Sequence, residues 1–114
     1  MADLKSLDEL LQAQYGFRSV PKTNPVTDTV ETTVTKIVNG NPKRVYLNII
    51  NIGVSNVYIL PFGDVSQTKG IFISPGGGAV TLEWRTDFHL LEHEWYAIAI
   101  GSPSEIFVLE GVMI

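Results

Sequence analysis

Residues 44–52 read Arg-Val-Tyr-Leu-Asn-Ile-Ile-Asn-Ile, and this stretch decides the fold. Its side chains alternate between two faces, as side chains do along a β-strand. One face carries Val45, Leu47 and Ile49, and the other carries Tyr46, Asn48 and Ile50. Because apolar residues occupy both faces, the pattern predicts a strand at the centre of a sheet.

Other stretches after residue 30 have the same character. They are short, rich in β-branched and aromatic residues, and separated by turns that contain glycine or proline. The predicted strands span residues 30–38, 44–52, 57–60, 71–73, 79–84, 95–100 and 105–114. No helical period separates them. About seven strands with frequent turns predict an all-β fold, an antiparallel β-sandwich of jelly-roll or immunoglobulin-like type.

The chain ahead of these strands has a different pattern. Ser6 and Glu9 form a capping box, in which the Ser6 hydroxyl accepts the backbone N–H of Glu9 and the Glu9 side chain reaches back. Leucines follow at helical spacing, and Gly16 is a natural stop. The pattern predicts a short helix at residues 6–15. A helix of this length is marginal alone and needs a surface to pack against.

Residues 17–29 contain Pro21 and Pro25, which favour extended backbone in the residues before them. Residues 1–29 are therefore predicted to be a helix with an extended arm, and residues 30–114 a β-sandwich domain. Six apolar side chains of the arm are the predicted interaction residues: Leu4, Leu7, Leu10, Leu11, Tyr15 and Phe17. They either cover an edge of their own sandwich or dock on a neighbouring molecule, and both readings stay open.

Composition excludes several classes of function. The chain has 114 residues, a formal net charge of −4, 45% hydrophobic residues and 18% charged residues. Its basic residues are scattered, so no nucleic-acid partner is expected, because such binding needs clustered cations. The absence of cysteine excludes disulfides and cysteine-based zinc sites. The N-terminus lacks a signal-peptide pattern and no stretch is apolar enough to span a membrane, so synthesis in the cytoplasm is expected.

The segment His-Leu-Leu-Glu-His-Glu at residues 89–94 is the one cluster with metal-ligand chemistry. On a strand, His89 and His93 lie about 13 Å apart, too far to share an ion. The strand pattern that begins at Trp95 argues against a helix, and the HExxH zinc motif is absent. The segment is predicted to be a polar loop or an edge strand, with no bound metal or cofactor.

Other motifs that could carry catalytic chemistry are better explained as turns or surface residues. Residues 75–78 read Pro-Gly-Gly-Gly, but a strand follows them, whereas a phosphate-binding loop opens a helix. No nucleophile motif G-x-S-x-G occurs. Paired carboxylates such as Glu92 and Glu94 suit glycoside hydrolysis, but so small a sandwich leaves little room for a substrate cleft. No catalytic residue is assigned, and the chain is not expected to be an enzyme.

The aromatic residues have two readings, a platform for stacking sugars or a contribution to core and interface packing. Alternation places Trp84 on the face of Val80 and Leu82, and Trp95 on the face of two alanines. Core or interface packing is therefore favoured. The residues concerned are Trp84, Trp95, Tyr46, Tyr58, Tyr96, Phe62 and Phe72.

Five stretches combine alternating strands with glycine turns, at residues 44–51, 57–59, 70–76, 95–101 and 106–110. From Arg44 onward, over about two-thirds of its length, the chain resembles small β-sandwich proteins of tailed-phage virions. Such proteins are capsid decoration (cement) subunits, head fibres or tail accessories. The resemblance implies no catalytic residues, frequent trimers, and N-terminal arms that touch neighbouring subunits.

The expected function is that of a non-enzymatic phage virion protein, a capsid decoration protein that binds the capsid lattice through its arm and one end of the sandwich. The expected partners are the major capsid protein or other virion subunits, with a homotrimer as the oligomer. The alternative is a carbohydrate-binding or adhesin module of a phage tail or head fibre, which requires solvent-exposed aromatic residues.

Overall fold

The computed structural model describes residues 9–10, 13–14, 16, 19–23 and 25–114. The described strands are β1 (Ser19–Lys22), β2 (Thr29–Val30), β3 (Thr35–Val38), β4 (Arg44–Asn51), β5 (Asn56–Leu60), β6 (Ile71–Ile73), β7 (Gly78–Glu83), β8 (Trp95–Ile100) and β9 (Ser104–Met113). A short helix, α1 (Trp84–Asp87), and a 3₁₀ turn (Phe88–Leu91) join β7 to β8. Residues 9–10 and 13–14, within the predicted N-terminal helix, are helical.

The strands form two antiparallel sheets. The first sheet has the order β1-β9-β4-β7, with β2 also paired to β9, and the second has the order β3-β8-β5-β6. This order is that of a jelly roll in which β1 and β2 together replace the first strand. The predicted all-β sandwich is confirmed, and of the two predicted types the strand order selects the jelly roll.

Strand β4 is central, as its sequence predicts, and is hydrogen-bonded to β7 on one side and β9 on the other. Leu47 and Ile49 share the buried face as expected. Val45 does not, because the register with β9 shifts between Arg44 and Tyr46. This irregularity places Arg44 inside the sandwich and leaves Val45 half-buried, so Val45 does not share the buried face of Leu47 and Ile49, on which simple alternation placed it.

The core lies between the sheets and is filled by one face of each long strand. Ile59, Ala97 and Val108 are representative, and each alternates with outward neighbours along its strand. Trp95 is fully buried and donates its indole N–H to the Leu90 carbonyl, 3.2 Å away. The 3₁₀ turn therefore closes the core at one end of the sandwich.

The single strand predicted at residues 30–38 is wrong, because β2 ends at Val30 and β3 begins at Thr35. Between them, the Thr35 hydroxyl accepts the Glu31 N–H and donates to the Thr33 carbonyl, a local turn that competes with strand pairing. Strand β1 lies within residues 1–29 and pairs with β9, with Ser19 opposite Met113. The two differences raise the strand number above the predicted seven.

Because successive strands from β2 onward run in opposite directions, the loops between them alternate between the two ends of the sandwich. We call the end formed by residues 31–34, 52–55, 74–77 and 101–103 the Gly53 end, and the end formed by residues 39–43, 61–70 and 84–94 the Arg44 end. Strand β4 runs from the Arg44 end to the Gly53 end.

Candidate interaction surfaces

The predicted interaction residues of the arm lie mostly outside the described residues. Leu4, Leu7, Leu11, Tyr15 and Phe17 belong to that group. Leu10 is described, and 49% of its surface is exposed. Gly16 has a φ of 79°, the left-handed conformation expected of a residue that ends a helix.

The outer face of the second sheet is largely apolar. Ile98, Tyr58 and Phe72 lie side by side across three strands, because Tyr58 is the register partner of both others. The Tyr58 and Phe72 rings are 5.4 Å apart, and Phe72 is 51% exposed at the edge strand β6. Leu60 and Tyr96 form the adjacent row. Together these five side chains make one contiguous apolar and aromatic surface, which we call the Ile98 face.

A polar group borders the Ile98 face. The Lys36 Nζ lies 2.9 Å from the Glu94 Oε2, and the Tyr96 hydroxyl donates to the Glu94 Oε1 at 2.7 Å. These hydrogen bonds, from Lys36 first and Tyr96 second, hold the pKa of the Glu94 carboxyl below its ordinary value. The same carboxylate raises the pKa of Tyr96 by accepting its hydrogen bond. The border is thus an exposed, charge-neutral pair.

The outer face of the first sheet carries both polar and apolar side chains, unlike the Ile98 face. On this face, Asn48 of β4 lies between Leu109 of β9 and Thr81 of β7. The Asn48 Nδ2 donates to the Thr81 hydroxyl at 2.8 Å. Polar side chains therefore interrupt this face, although its adjacent row, Phe107, Ile50 and Ala79, is apolar.

The Arg44 end is held together by a buried ion pair. Arg44 and Glu110 are 4% and 5% exposed, and Arg44 Nε donates to Glu110 Oε2 at 2.7 Å. The guanidinium also donates to the carbonyls of Leu91 (3.0 Å), His93 (3.2 Å) and Asn39 (2.6 Å). One side chain therefore ties the 39–43 and 84–94 loops to the sheet.

The histidine segment divides: residues 89–91 belong to the 3₁₀ turn, whereas residues 92–94 form a loop, as one of the two predicted forms has it, and the segment is not an edge strand. His89 is exposed and lies 3.8 Å from the Glu92 carboxylate. His93 is also exposed and packs its ring 6.1 Å from Phe62. Phe88 has a φ of 52° and is 71% exposed, a strained conformation for a non-glycine residue. Arg44 anchors this segment by donating to the Leu91 and His93 carbonyls.

In the described part of the chain, no group of three or more His, Asp or Glu side chains is arranged to hold a metal ion. An open groove of 390 Å³ runs beside β9 and is lined by Thr23, Pro25, Asp28, Phe107 and Val108. Asp28 is the one titratable residue among these lining residues. No helix among the described residues is long and apolar enough to cross a membrane.

The Gly53 end presents an unusual turn between β4 and β5. Ile52 and Val54 are 57% and 84% exposed, whereas Ser55 is buried beneath them. Turn residues are ordinarily small or polar, so two β-branched apolar residues at a turn were the sequence signal for this site. Ile52 is the last residue of the strand predicted at 44–52, and for that reason the signal was missed.

The aromatic residues divide between core and surface. Trp95 is in the core and Trp84 packs partly against it, which confirms the core reading for both. Phe62 and Phe72 are exposed, and Tyr58 is half-buried against Phe72. The sequence predicted the alternation but not which outer face would carry the aromatic cluster, because that depends on the order of strands in the sheet.

Comparison with known proteins supports the fold. No protein-family model matches the sequence, and no curated protein matches it. A solved structure of Bacillus endospore appendages, described as a novel family of disulfide-linked pili, aligns with a TM-score of 0.53 and 14% identity over 86% of this chain and 90% of that chain. Drosophila melanogaster CENP-C bound to CAL1 aligns with a TM-score of 0.32 and 13% identity over 88% of this chain and 75% of that chain. The first likeness concerns the fold alone, and the second carries no argument.

Proposed function

We propose that this chain is a non-enzymatic structural protein of a larger particle, and specifically a decoration protein of a tailed-phage capsid. The observation that carries the proposal is the Ile98 face, a contiguous apolar and aromatic surface on the outside of the second sheet. Large contiguous apolar patches on a soluble protein mark interaction sites. The partners would be copies of the chain, the major capsid protein or other virion subunits, in the assembled virion.

The occupant of the Ile98 face is a second copy of the chain. The face carries no unpaired charge, because Lys36 and Glu94 neutralise each other at its border. Two copies therefore meet there without charge repulsion, although each has a net charge of −4. In a closed ring of three copies, the trimer, the Ile98 face of each subunit would lie against a different surface of its neighbour and would be buried in every subunit.

The fold shared with the endospore appendage protein supports a structural role. Those appendages are described as disulfide-linked. This chain contains no cysteine, so its assembly must rest on non-covalent contacts. Leu10, half-exposed on the arm, supports a second contact in which the arm residues dock on a neighbouring subunit.

Sedimentation velocity on the full chain tests the proposed self-association. The wild-type chain should sediment as a trimer, and Ile98→Lys should sediment as a monomer, because a lysine in the Ile98 face must be desolvated on assembly. Thr81→Lys, on the exposed outer face of the first sheet, is the matched control and should remain a trimer. A wild-type monomer that also fails to co-sediment with capsid shells of the encoding phage contradicts the proposal.

A second candidate function is a carbohydrate-binding or adhesin module. It is favoured by one observation, the exposed Phe72 ring beside Tyr58, because sugar rings stack on exposed aromatic faces. Jelly rolls include lectin domains. Saturable binding on a glycan array that is lost in Phe72→Ala supports this function, and a blank array at high chain concentration removes it.

A further inference from the structure

The turn at the Gly53 end holds apolar side chains in water and polar groups inside. Val54 is 84% exposed and Ile52 is 57% exposed, whereas Asn51 and Ser104 beneath them are fully buried. A turn that served only to connect strands would present its polar groups to solvent. Here the apolar side chains are exposed and the polar ones are buried, as expected of a turn whose apolar side chains contact a partner and whose backbone is held by polar groups beneath it.

The support is rigid. The Asn51 Nδ2 donates to the carbonyls of Ser55 (2.7 Å) and Ile73 (3.1 Å), and its Oδ1 accepts from the Ser104 hydroxyl at 2.7 Å and the Gly53 N–H at 3.2 Å. These four contacts reach three segments: two go to the β4–β5 turn, one goes to β6 and one goes to β9. The turn, β6 and β9 are therefore fixed to one another by a single side chain.

Gly53 allows this close approach. A Cβ at this position would lie 2.2 Å from the Ser104 Oγ and 2.5 Å from the Glu105 backbone nitrogen. The Gly76 and Gly77 amides of the neighbouring loop donate to the Gly53 and Asn51 carbonyls at 3.1 and 2.8 Å. The apolar side chains on either side of Gly53 are consequently held in place before any partner arrives, which lowers the entropy cost of binding.

Charge at this end has one sign. Glu31 lies in the loops of this end, and Asp28 and Glu105 lie next to them, beside the β2–β9 pair; all three are exposed, and none of them forms an ion pair with a described residue. None of the described lysines and arginines lies in the loops of the Gly53 end. The apolar turn therefore projects from an acidic surround.

We propose that the Gly53 end is the docking end of this protein, and that its partner is a protein surface with an apolar recess bordered by lysine or arginine. Val54 is the principal anchor, Ile52 and Val34 extend the apolar contact, and the three carboxylates pair with the basic border. This inference rests on the proposed function, since it identifies which end of the sandwich meets the capsid lattice and what chemistry that lattice site has.

The Arg44 end supplies a matched control. Phe88 is also exposed and apolar, but it belongs to a loop whose acidic and basic residues are mixed. Phe88→Asp exchanges one non-glycine residue for another at the same φ of 52° and ψ of −127°, so the backbone strain at this position is present in both chains. Phe88→Asp and Val54→Asp therefore add the same charge at opposite ends of the same fold.

Co-sedimentation with capsid shells of the encoding phage, assembled without this chain, tests the docking end. Val54→Asp should weaken binding by roughly tenfold to hundredfold, as expected for loss of a central apolar anchor. Phe88→Asp should bind within about twofold of wild type. The neutralised variant Glu31→Gln/Glu105→Gln should bind more weakly than wild type at low salt and show a smaller loss of binding as sodium chloride increases.

The outcomes separate the two proposals. If the wild-type chain binds the shells and Val54→Asp binds equally well, the docking end is wrong while the proposed function stands. If neutralisation of the carboxylates strengthens binding, the partner is acidic and the stated partner chemistry is wrong. If the wild-type chain does not bind the shells at any salt concentration, the proposed capsid function itself fails.

Discussion

The two ends of the sandwich are fixed by buried polar groups of opposite kinds. At the Arg44 end, a charged pair binds three loop carbonyls. At the Gly53 end, the neutral Asn51 amide donates to the Ser55 and Ile73 carbonyls and accepts from the Ser104 hydroxyl. Burial of an ion pair costs more desolvation than burial of a neutral amide, so the two ends should respond differently when one partner is removed.

The ends also differ in what they present to solvent. Charges at the Arg44 end are mixed, with Lys36 paired to Glu94 and Lys69 to Asp64. The Gly53 end carries carboxylates without described cations, around an apolar turn. These charges at the Arg44 end are thus paired within the chain, whereas the carboxylates and the apolar turn of the Gly53 end remain exposed and accessible to a partner.

Removal of Arg44 should have the largest effect on stability. Arg44→Met leaves the Glu110 carboxylate buried without its partner and should lower the free energy of unfolding by about 3–5 kcal/mol. Arg44→Met/Glu110→Leu removes both charges and should recover much of that loss. Urea unfolding followed by tryptophan fluorescence measures both. Equal stability of wild type and Arg44→Met would show that the pair does not hold the Arg44 end.

A methyl group at Gly53 should have the next largest effect. Gly53→Ala forces the Ser104 hydroxyl and the Glu105 backbone to move, at a cost of about 1–3 kcal/mol. Gly63→Ala is the control, because a Cβ there meets nothing within 4 Å, and it should be neutral or slightly stabilising. Thermal unfolding compares the two variants, and equal Tm values would contradict the close packing of the turn.

The Lys36–Glu94 pair should have the smallest effect. Because the fold lowers the pKa of Glu94, the pair stabilises the chain above the ordinary glutamate pKa of 4.5, and this contribution disappears as the pH falls through the lowered value. In Lys36→Ala, an NMR titration should show the pKa of Glu94 rising toward its ordinary value. An unchanged titration would assign the shift to Tyr96 alone.

The strands of this fold were predictable because period-two alternation survives in the sequence. Leu47 and Ile49 on β4, and Trp95 on β8, lie where alternation places them. The irregularity at Arg44 was not predictable, because it arises from pairing with β9, more than sixty residues further along the chain. The helical segment at 84–91 escaped prediction for the same reason, since Arg44 anchors it from another strand.

The candidate surfaces were less predictable than the fold. Alternation places Tyr58, Phe72 and Ile98 on outward faces, but only the strand order brings them together. The carboxylates of the Gly53 end come from two segments, residues 28–31 and Glu105, which are brought together by the pairing of β2 with β9. By contrast, Ile52 and Val54 lie on either side of Gly53 in the sequence, so two apolar residues at this turn could have been recognised from the sequence as exposed.

Hydrogen exchange on the capsid-bound chain tests the contrast between the two ends most directly. Amides in residues 31–34 and 52–55 should exchange more slowly in the bound chain than in the free chain, because the partner covers the Gly53 end. Amides in residues 84–94 should exchange at the same rate in both. Protection of residues 84–94 without protection of residues 52–55 would contradict the account, because it would place the docking contact at the Arg44 end.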